Sequence, residues 1–452
     1  MGHGPLCLLP RLGRLLRDLS PDTLIVEPLT GKAAQSIGHK ASIVALEGSV
    51  RSSKTWTTLI EWLEYCRRGP AGPLLITGRT ERTVITNIVL PLQQMLGAKR
   101  VKLNRGLGLV TILGRECMIV GADNETAVTK IQGRTLAGAL VDETSTLPES
   151  YFDMLYSRLS IEGAQVFLTS NPEAPAHWLM AHWLSRARLW IDRDGNEHVR
   201  ELGDPNDPDG VIDLIRISFK LEDNPNLPPA YVARIKAAYS GLWYRRYILG
   251  EWCIAEGAVY DCWDPDKHVV KAADLPPIQR LLATGIDYGT THPTRGYLLG
   301  VSAEATPRLV FIDEWRPGKM TDSGYSKDYR NWIGSRAPEW VAVDPAAASF
   351  KLQLFTDGLS NVMDANNSVI SGIRTVASLL SSGRLIVSDA CVELIAHIPG
   401  YSWDPKATAR GEDAPIKQDD DECDAARYAV ASTRALWGTL VPITVALDEE
   451  AA

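Results

Sequence analysis

Short apolar runs alternate with amphipathic stretches through the first part of the chain. Runs at 43–46, 74–77, 136–141 and 165–168 are each bounded by polar or glycine-containing turns. Helical periodicity follows at 56–65, 81–96 and 148–159, whereas the stretch 101–119 alternates and carries glycines, which predicts β-hairpins. Strands and helices in this order predict a mainly parallel α/β sheet, with its site at the carboxyl ends of the strands.

The first apolar run leads directly into a loop with the residues of a phosphate-binding site. From position 47 the sequence reads E-G-S-V-R-S-S-K-T, and a helical stretch follows. In such loops the backbone N–H groups and the helix N-terminus face an anion, Lys54 reaches the β- and γ-phosphates, and the Thr55 hydroxyl can hold Mg²⁺. Ser53 replaces the second glycine of the usual pattern, so a serine-rich turn is the alternative. The predicted ATP-binding residues are Gly48, Ser49, Val50, Arg51, Ser52, Ser53, Lys54 and Thr55.

Two later strand ends supply the other groups that ATP hydrolysis needs. The run L-A-G-A-L-V ends in Asp142 and Glu143. A carboxylate at such a strand end holds Mg²⁺, and a second one orients the attacking water, roles that fit Asp142 and Glu143 in that order. The next run ends in Thr169, Ser170 and Asn171, which sense the γ-phosphate or form an ordinary Asn-Pro turn.

The C-terminal part of the chain has a different pattern. Runs at 281–286, 296–301 and 308–312 are joined by short turns and predict a β-meander, and further strands are predicted at 340–343 and 362–364. Helices are predicted at 347–358, 369–382 and 418–431. Four carboxylates occupy strand ends or one helix face, namely Asp287, Asp344, Asp421 and Asp424. Carboxylates brought together repel one another unless cations lie among them, so we predict two Mg²⁺ or Mn²⁺ ions, the alternative being that each aspartate caps its element.

Length and composition predict a globular protein of several domains. The 452 residues predict two or three domains, with a first domain at 1–254, a linker subdomain at 192–254 within it, and a second domain at 255–452. The net charge of −8 neither indicates nor excludes nucleic acid. The seven scattered cysteines lack a zinc spacing and predict reduced thiols. No apolar run is long enough to predict a membrane span, and the stretch 6–19 reads as a helix rather than a signal peptide.

The motifs in order resemble those of the large terminase subunit of tailed bacteriophages. They are G-S-V-R-S-S-K-T, A-L-V-D-E, T-S-N-P, D-N-P-N-L, G-L-W-Y-R-R-Y-I-L-G-E-W, G-A-V-Y-D, G-I-D-Y-G, V-A-V-D-P and D-D-D-E-C-D-A-A-R-Y-A, and they span nearly the whole chain. The resemblance implies a RecA-like P-loop ATPase domain followed by an RNase H-like nuclease domain. It also implies ATP-driven translocation of double-stranded DNA into the procapsid and metal-dependent cutting of concatemeric DNA.

The resemblance also assigns roles to residues. Glu143 would be the catalytic base of ATP hydrolysis, with Asp142 on Mg²⁺ and residues 169–171 coupling hydrolysis to motion. The nuclease ligands would be Asp287, Asp344 and Asp421, with Asp424 beside them. The implied partners are double-stranded DNA, the small terminase subunit and the portal protein, on which the chain would form a ring in the host cytoplasm, docked on the procapsid and without a membrane.

Three departures from the family pattern qualify these roles. Ser53 stands where most members have glycine. Arg51 lies three residues before Lys54, where many members have an arginine four residues before, so its role as an arginine finger is open. Asp421 occupies a position that is often histidine. Two other functions stay open: a DNA translocase or helicase whose C-terminal domain only binds DNA, and a non-enzymatic assembly factor with degenerate sites.

Overall fold

The computed structural model describes residues 29–203, 210–289 and 292–443. The helix predicted at 6–19 and part of the loop predicted at 192–210 lie outside these residues. The described chain divides into two compact units. The first contains the described residues up to Leu227 together with Arg245–Cys253, and the second contains Pro228–Tyr244 and the described residues from Ile254 onward.

The first unit is built on a sheet that has ten strands among the described residues. The strands are β1 Ile43–Gly48, β2 Leu74–Gly78, β3 Val101–Asn104, β4 Leu109–Ile112, β5 Arg115–Gly121, β6 Gly138–Val141, β7 Gln165–Ser170, β8 Ala187–Ile191, β9 Glu197–Val199 and β10 Ile212–Phe219. Their order is β3-β4-β5-β2-β6-β7-β1-β10-β8-β9. The strands from β5 to β8 in this order run parallel, and only the two edges contain antiparallel pairs. The predicted parallel α/β sheet and the hairpins at 101–119 are confirmed.

Helices cover both faces of this sheet, and two apolar clusters of buried residues lie between the layers. The α-helices of the first unit are α1 Gly31–Ser36, α2 Lys54–Arg68, α3 Glu81–Val84, α4 Leu90–Leu96, α5 Val128–Ile131 and α6 Glu149–Ser157. Two π-helical turns occur at Ile85–Val89 and Leu179–Trp183, and 3₁₀ turns occur at Arg105–Leu107, Glu125–Ala127, Thr144–Thr146, Leu184–Arg186 and Leu221–Asp223. Every residue of β1 is buried, which explains its uninterrupted apolar run.

The stretch predicted as a linker subdomain contributes strands to the main sheet. β10 pairs in parallel with β1 along the whole length of β1, and its residues Leu214, Ile215 and Ile217 are buried. The charged residues before β10 obscure the apolar pattern that would predict this strand from the sequence. Residues 228–244, from the same stretch, belong to the second unit.

The second unit is built on a mixed sheet with seven strands among the described residues. The strands are β11 Val269–Val270, β12 Ile278–Asp287, β13 Arg295–Ser302, β14 Leu309–Trp315, β15 Trp340–Val343, β16 Val362–Asp364 and β17 Leu385–Ser388, in the order β11-β17-β14-β13-β12-β15-β16. β12, β13 and β14 form the predicted antiparallel meander, and β15 and β16 extend it in parallel from β12.

The remaining helices of the described chain follow residue 227. They are α7 Pro229–Ala238, α8 Gly241–Tyr247, α9 Pro265–His268, α10 Asp322–Ile333, α11 Ala348–Thr356, α12 Val369–Ser381, α13 Val392–His397, α14 Pro405–Ala409, α15 Asp421–Ser432 and α16 Arg434–Trp437, with 3₁₀ turns at Ala272–Asp274 and Ile398–Gly400. α8 continues into the first unit. Among the helices of the described ranges, none is both long and apolar enough to cross a membrane.

Helix α15 packs directly on β12 because one position of the strand has no side chain. A Cβ atom on Gly285 would lie 2.3 Å from the Ala425 carbonyl oxygen and 2.5 Å from the Ala429 nitrogen, which is too close for any side chain. The glycine therefore brings the first turn of α15 next to the end of β12.

Candidate active sites

Three neighbouring strands bring the predicted ATP-site residues to one edge of the first sheet. β6, β7 and β1 are adjacent and parallel, so their carboxyl ends meet at the same edge. β1 runs into the loop 48–55, β7 into Asn171, and β6 into Asp142. The structure thus brings together the loop, the two acidic residues and the segment 169–171, as the strand pattern predicted.

The loop between β1 and α2 has the backbone of a phosphate cradle. Gly48 has φ +126°, and a Cβ atom there would lie 2.1 Å from the Phe219 carbonyl oxygen. Ser53 precedes α2 with φ 74° and ψ 5°, in the left-handed region that glycine usually occupies, and Arg51 also has a positive φ. Ser53 therefore adopts the backbone conformation that glycine usually has at this position, and this conformation is strained for a serine.

Lys54 is buried inside this loop. Its Nζ donates to the carbonyl oxygens of Gly48 at 3.0 Å and Ser49 at 2.5 Å, and to Asn171 Oδ1 at 3.1 Å. Burial lowers the pKa of Lys54 to about 8, although the charges of Glu47, Glu143 and Asp142 act in the opposite direction. The ammonium group thus lies where an anion in the loop would meet it.

Asp142 is buried and held by neutral groups. Its Oδ1 accepts from the Thr169 hydroxyl at 2.8 Å and its Oδ2 from Asn87 Nδ2 at 3.2 Å. Burial raises the pKa of Asp142, while these two hydrogen bonds and the Lys54 charge lower it. Glu143, half-buried with φ 49°, donates its backbone N–H to Thr169 Oγ1 at 3.1 Å. Thr169 therefore contacts both acidic residues, which links the predicted coupling segment to them.

Several supporting residues were missed by sequence reasoning. Asn87 lies on a π-helical turn that no local pattern predicts. Glu47 is fully buried beneath the loop, where Arg216 Nε donates to it at 2.8 Å and Trp252 Nε1 at 3.0 Å. Asn224 Nδ2 donates to the Arg51 carbonyl at 2.8 Å. The motifs D-N-P-N-L and G-E-W were a usable signal, since both supply residues that hold the loop.

The second candidate site lies at the end of β12. β12 and β15 are parallel neighbours with Ile286 paired to Val343, so Asp287 and Asp344 follow at the same level. Asp421 begins α15, which lies on this sheet. Asp287 and Asp421 are buried and Asp344 is half-buried. The fold thus places side by side the three carboxylates that the sequence separates widely.

The electrostatics of this cluster is unfavourable for free carboxylates. Burial, and then the negative charges of Asp424, Asp421 and Asp344, raise the pKa of Asp287 to about 8. Burial also raises the pKa of Asp421, while the neighbouring His292 lowers it. The cluster therefore favours either a bound proton or a bound cation.

Asp424 occupies a different electrostatic environment from the other carboxylates. Its Oδ2 accepts from Lys417 Nζ at 2.9 Å, and its Oδ1 lies 2.9 Å from Arg427 Nη2 and 3.4 Å from the Tyr401 hydroxyl. Lys417 also binds Asp420 at 2.9 Å. Protein cations therefore already occupy both Asp424 oxygens.

A histidine that sequence reasoning missed joins the cluster. His292 Nδ1 contacts Asp421 Oδ1, and one ligand atom from each of Asp287, His292 and Asp421 lies within 4.8 Å of the others. His292 supplies an imidazole from the segment that follows β12 in the sequence. Its position shortly after G-I-D-Y-G was the only available signal. Two buried carboxylates and an imidazole fit a divalent cation such as Mn²⁺ or Mg²⁺.

Comparison with known proteins identifies the family. A family model described as the N-terminal part of the T4likevirus-type terminase large subunit matches residues 45–262. The large terminase of a thermophilic bacteriophage, in the structure of its complex with ATP-gamma-S, is 30% identical to this chain. That similarity covers 90% of this chain and 99% of the thermophilic phage chain, with a TM-score of 0.74. The chain belongs to the phage large terminase family.

Other relatives agree with this assignment. A second crystal form of the same thermophilic phage large terminase is 29% identical, with 91% of this chain and 99% of that chain covered and a TM-score of 0.77. The terminase large subunit of Escherichia phage T5 is 23% identical over 237 residues, which are 50% of this chain and 53% of the T5 protein. The chain thus spans about half the length of this curated relative. The predicted α/β fold class is confirmed: the first unit has a large, mainly parallel sheet and the second a mixed sheet, and the similarity to the thermophilic phage large terminase covers 90–91% of this chain.

Proposed function

We propose that this large terminase hydrolyses ATP to move double-stranded DNA into a procapsid and cuts concatemeric DNA with a divalent-metal-dependent nuclease site. One observation carries the proposal: a single chain holds a phosphate cradle in one unit and a separate cluster of buried carboxylates in the other. Structures of the large terminase from the thermophilic phage are complexes with ATP-gamma-S and with ADP, which supports nucleotide as the ligand of the cradle.

In the ATPase unit, each side chain has a defined part in the proposed reaction. Lys54 leaves the loop carbonyls and binds the β- and γ-phosphates, and Asp142 and the Thr55 hydroxyl hold the Mg²⁺ that accompanies ATP. Glu143, at the same strand edge, orients the attacking water and accepts its proton. Because Lys54 donates to Asn171 and Thr169 contacts Asp142, loss of the γ-phosphate is transmitted to residues 169–171.

A buried arginine extends this coupling path along the chain. Arg246 Nη1 lies 3.2 Å from Glu173 Oε2, and its Nη2 donates to the Cys253 carbonyl at 2.7 Å. Glu173 follows the coupling segment 169–171 by two residues, and Arg246 belongs to the motif G-L-W-Y-R-R-Y. We infer that a shift of the coupling segment moves the 245–253 segment with it.

In the nuclease unit, Asp287, Asp344 and Asp421 would hold two Mg²⁺ or Mn²⁺ ions, with His292 as a further ligand. When bound, such ions generate the attacking hydroxide and stabilise the leaving oxygen of a phosphodiester. The chain itself fixes the ligand positions through β12, β15 and α15. Lys417 and Arg427 hold Asp424 beside the cluster, so we assign Asp424 a positioning role and Asp421 the ligand role.

The proposed partners follow from this function. They are double-stranded DNA, the small terminase subunit and the portal protein, with several copies of the chain forming a ring on the portal. The proposed location is the host cytoplasm, where the ring docks on the procapsid.

Two variants of the full-length protein test the proposal. Lys54→Ala should abolish ATP turnover and leave Mn²⁺-dependent plasmid nicking intact, whereas Asp287→Asn should do the reverse, because the two sites share no residue. Lys417→Ala is not a neutral control, since it contacts Asp424, so His182→Ala, an exposed variant of the first unit, serves instead. A wild type that turns over ATP but never nicks DNA would favour the pure translocase, and one that does neither would favour the assembly factor.

A further inference from the structure

Arg295 lies beside the nuclease cluster without neutralising it. It begins β13, and in the antiparallel pairing of β12 with β13 it is the partner of Asp287. Gly285, two residues before Asp287, contacts α15, so Asp287 and Arg295 project from the face of the sheet on which α15 packs. Arg295 Nε donates to Glu422 Oε1 at 2.6 Å, and among the described residues no ion pair joins Arg295 to Asp287. The guanidinium therefore binds the first turn of α15 instead of the neighbouring carboxylate.

Glu422 depends on Arg295 for its hydrogen bonding. The Glu422 side chain is 3% exposed and that of Arg295 is 16% exposed. Within the described chain, Glu422 Oε1 accepts from Arg295, and Oε2 has no hydrogen-bond partner. His397 Nδ1 is 3.9 Å from this Oε2, beyond hydrogen-bond distance. Because loss of one partner of a buried ion pair leaves an uncompensated charge, Arg295 fixes the turn of α15 on which Asp421 immediately precedes Glu422.

The same guanidinium also contacts the segment that precedes β13. Arg295 Nη1 donates to the Thr294 carbonyl oxygen at 3.2 Å. The buried Thr294 hydroxyl accepts from the Gly289 N–H at 3.1 Å. A Cβ atom on Gly289 would lie 2.1 Å from the His292 carbonyl oxygen, so these two residues approach each other closely. Arg295 thus connects α15 to the residues around His292.

Both connections lead to ligand groups of the proposed metal site. His292 Nδ1 contacts Asp421 Oδ1, although the two residues come from different elements of the fold. Asp421 is adjacent to Glu422 in the chain, and His292 lies three residues before Arg295. Metal ligands are generally oriented by hydrogen-bonded groups around them that do not touch the ion. Arg295 occupies such a place, because it binds the elements of both ligands and lies outside the cluster itself.

We propose that Arg295 is a positioning residue of the nuclease site. Through its ion pair with Glu422 and its hydrogen bond to Thr294, it holds Asp421 and His292 where one divalent cation binds both. The inference rests on the proposed metal-dependent nuclease. The fixed fork of a guanidinium meets the Glu422 carboxylate and the Thr294 carbonyl at once, which the single ammonium group of a lysine does less well. Because its charge is paired with Glu422, Arg295 leaves the cluster to be balanced by the cation.

Mn²⁺ binding and DNA nicking by full-length variants test this role. Arg295→Met keeps an apolar stem and should weaken Mn²⁺ binding roughly tenfold or more, measured by equilibrium dialysis with Asp287→Asn as the blank. The Mn²⁺ concentration for half-maximal plasmid nicking should rise by the same factor. The KM for DNA should stay unchanged, because a positioning residue does not touch the substrate. Arg295→Lys restores the charge and one donor and should recover part of the Mn²⁺ affinity.

A double variant separates positioning from stability. Arg295→Met combined with Glu422→Met removes the whole buried ion pair, a change that is often neutral for stability. It should regain the melting temperature that Arg295→Met loses, whereas Mn²⁺ binding should stay weak because the link to α15 is absent. Arg280→Met is the matched control. It removes the ion pair with Glu339 toward the other end of β12 and should leave Mn²⁺ binding unchanged.

Hydrogen exchange in EDTA supplies a readout without metal or DNA. Arg295→Met should speed amide exchange in the peptides around Thr294 and Glu422, and Arg280→Met should not. Unchanged exchange in both peptides, Mn²⁺ binding as tight as in wild type, or a double variant that regains Mn²⁺ affinity would overturn the inference. A higher KM for DNA with unchanged Mn²⁺ binding would likewise overturn it and assign Arg295 to the DNA phosphates.

The same measurements separate this inference from the proposed function. A wild type that binds Mn²⁺ through Asp287 but never nicks DNA contradicts the nuclease alone, because the effect of Arg295→Met on Mn²⁺ affinity is still measured. A wild type that binds no Mn²⁺ overturns both.

Discussion

Buried carboxylates have opposite electrostatic surroundings in the two units of this terminase. In the ATPase unit, Asp142 receives hydrogen bonds from Thr169 and Asn87 and the charge of Lys54. In the nuclease unit, Asp287 faces Asp344 and Asp421, and burial together with the surrounding charges raises its pKa to about 8. The first site is therefore arranged around Lys54, a cation of the protein itself, whereas no lysine or arginine of the described residues forms an ion pair with Asp287 in the second. The difference suggests that the site in the ATPase unit binds an anion and the site in the nuclease unit binds a metal ion.

Asp424 makes the same point within the nuclease unit. It lies three residues from Asp421 on one helix, yet Lys417 and Arg427 occupy its oxygens. Two carboxylates of one helix thus have different electrostatic surroundings, because protein cations pair with Asp424.

The largest effect expected on the ATPase side follows replacement of Glu143. Glu143→Gln keeps the shape of the side chain but removes the base, so ATP turnover should fall roughly 10²-fold or more while ATP still binds. Steady-state hydrolysis and fluorescent-nucleotide titration measure the two properties. The matched change Glu149→Gln, on helix α6 outside the loop, should alter neither. If nucleotide binding is lost instead, Glu143 has a structural role and the base lies elsewhere.

Nucleotide binding should also take up a proton at alkaline pH. The pKa of Lys54 is lowered to about 8 by burial, so above this pH the amine is mostly neutral. Phosphate oxygens restore its charge, and ATP binding should therefore take up close to one proton between about pH 8 and the usual lysine pKa of about 10.4. Below about pH 7 the uptake should vanish.

Calorimetry in buffers with different ionisation heats measures this uptake. Lys54→Met keeps the apolar stem without the amine and should abolish the buffer dependence. Equal proton uptake by wild type and Lys54→Met would show that Lys54 does not meet the phosphates.

The smallest expected effect concerns the loop backbone. A non-glycine residue in the left-handed region costs about 1–2 kcal/mol, so Ser53→Gly should relieve strain and change the free energy of unfolding by up to about +1 kcal/mol, after the entropy of glycine is subtracted. Ser52→Gly is the matched control. The buried Ser52 hydroxyl donates to the Ser49 carbonyl at 2.7 Å, so its loss should destabilise by about 1 kcal/mol. Urea unfolding measures both changes, and stabilisation by Ser52→Gly together with destabilisation by Ser53→Gly would contradict the strain argument.

The parts of both sites that depend on strand ends could be predicted from the sequence. Lys54, Asp142 and Asp287 follow apolar runs, and parallel strands bring such positions to one edge of a sheet. Asn87 and His292 could not be predicted, because they reach the sites through a π-helical turn and a loop whose position depends on tertiary packing. The ion pairs of Asp424 with Lys417 and Arg427 could not be predicted either, because the spacing of residues on a helix does not show which charged side chains contact them.

The fold shows the same division between local and tertiary information. The meander and the strand at 340–343 follow from alternation and turn residues. The place of β10 beside β1 does not, because its strand pairing spans a long sequence separation and a charged loop interrupts the pattern. Ser53 also illustrates the limit, since only the observed φ of 74° explains how a serine replaces glycine.

The central claim is that the nuclease carboxylates need a divalent cation. The pKa of Asp287 is higher in the folded protein than in the unfolded chain, so protonation of Asp287 stabilises the fold at low pH. This contribution to the free energy of unfolding is lost as the pH rises from about 4 through about 8. Wild type in EDTA should therefore become less stable across this range, and Asp287→Asn should reduce the loss.

Thermal melting at pH 8.5, in EDTA and in millimolar Mn²⁺, tests this claim most directly. Mn²⁺ at 100 times its Kd should stabilise wild type by about 2.7 kcal/mol. Asp287→Asn should melt higher than wild type in EDTA, gain much less from Mn²⁺, lose DNA nicking and keep ATP turnover. A wild type whose melting ignores Mn²⁺, or an Asp287→Asn protein that still nicks DNA, would contradict the account.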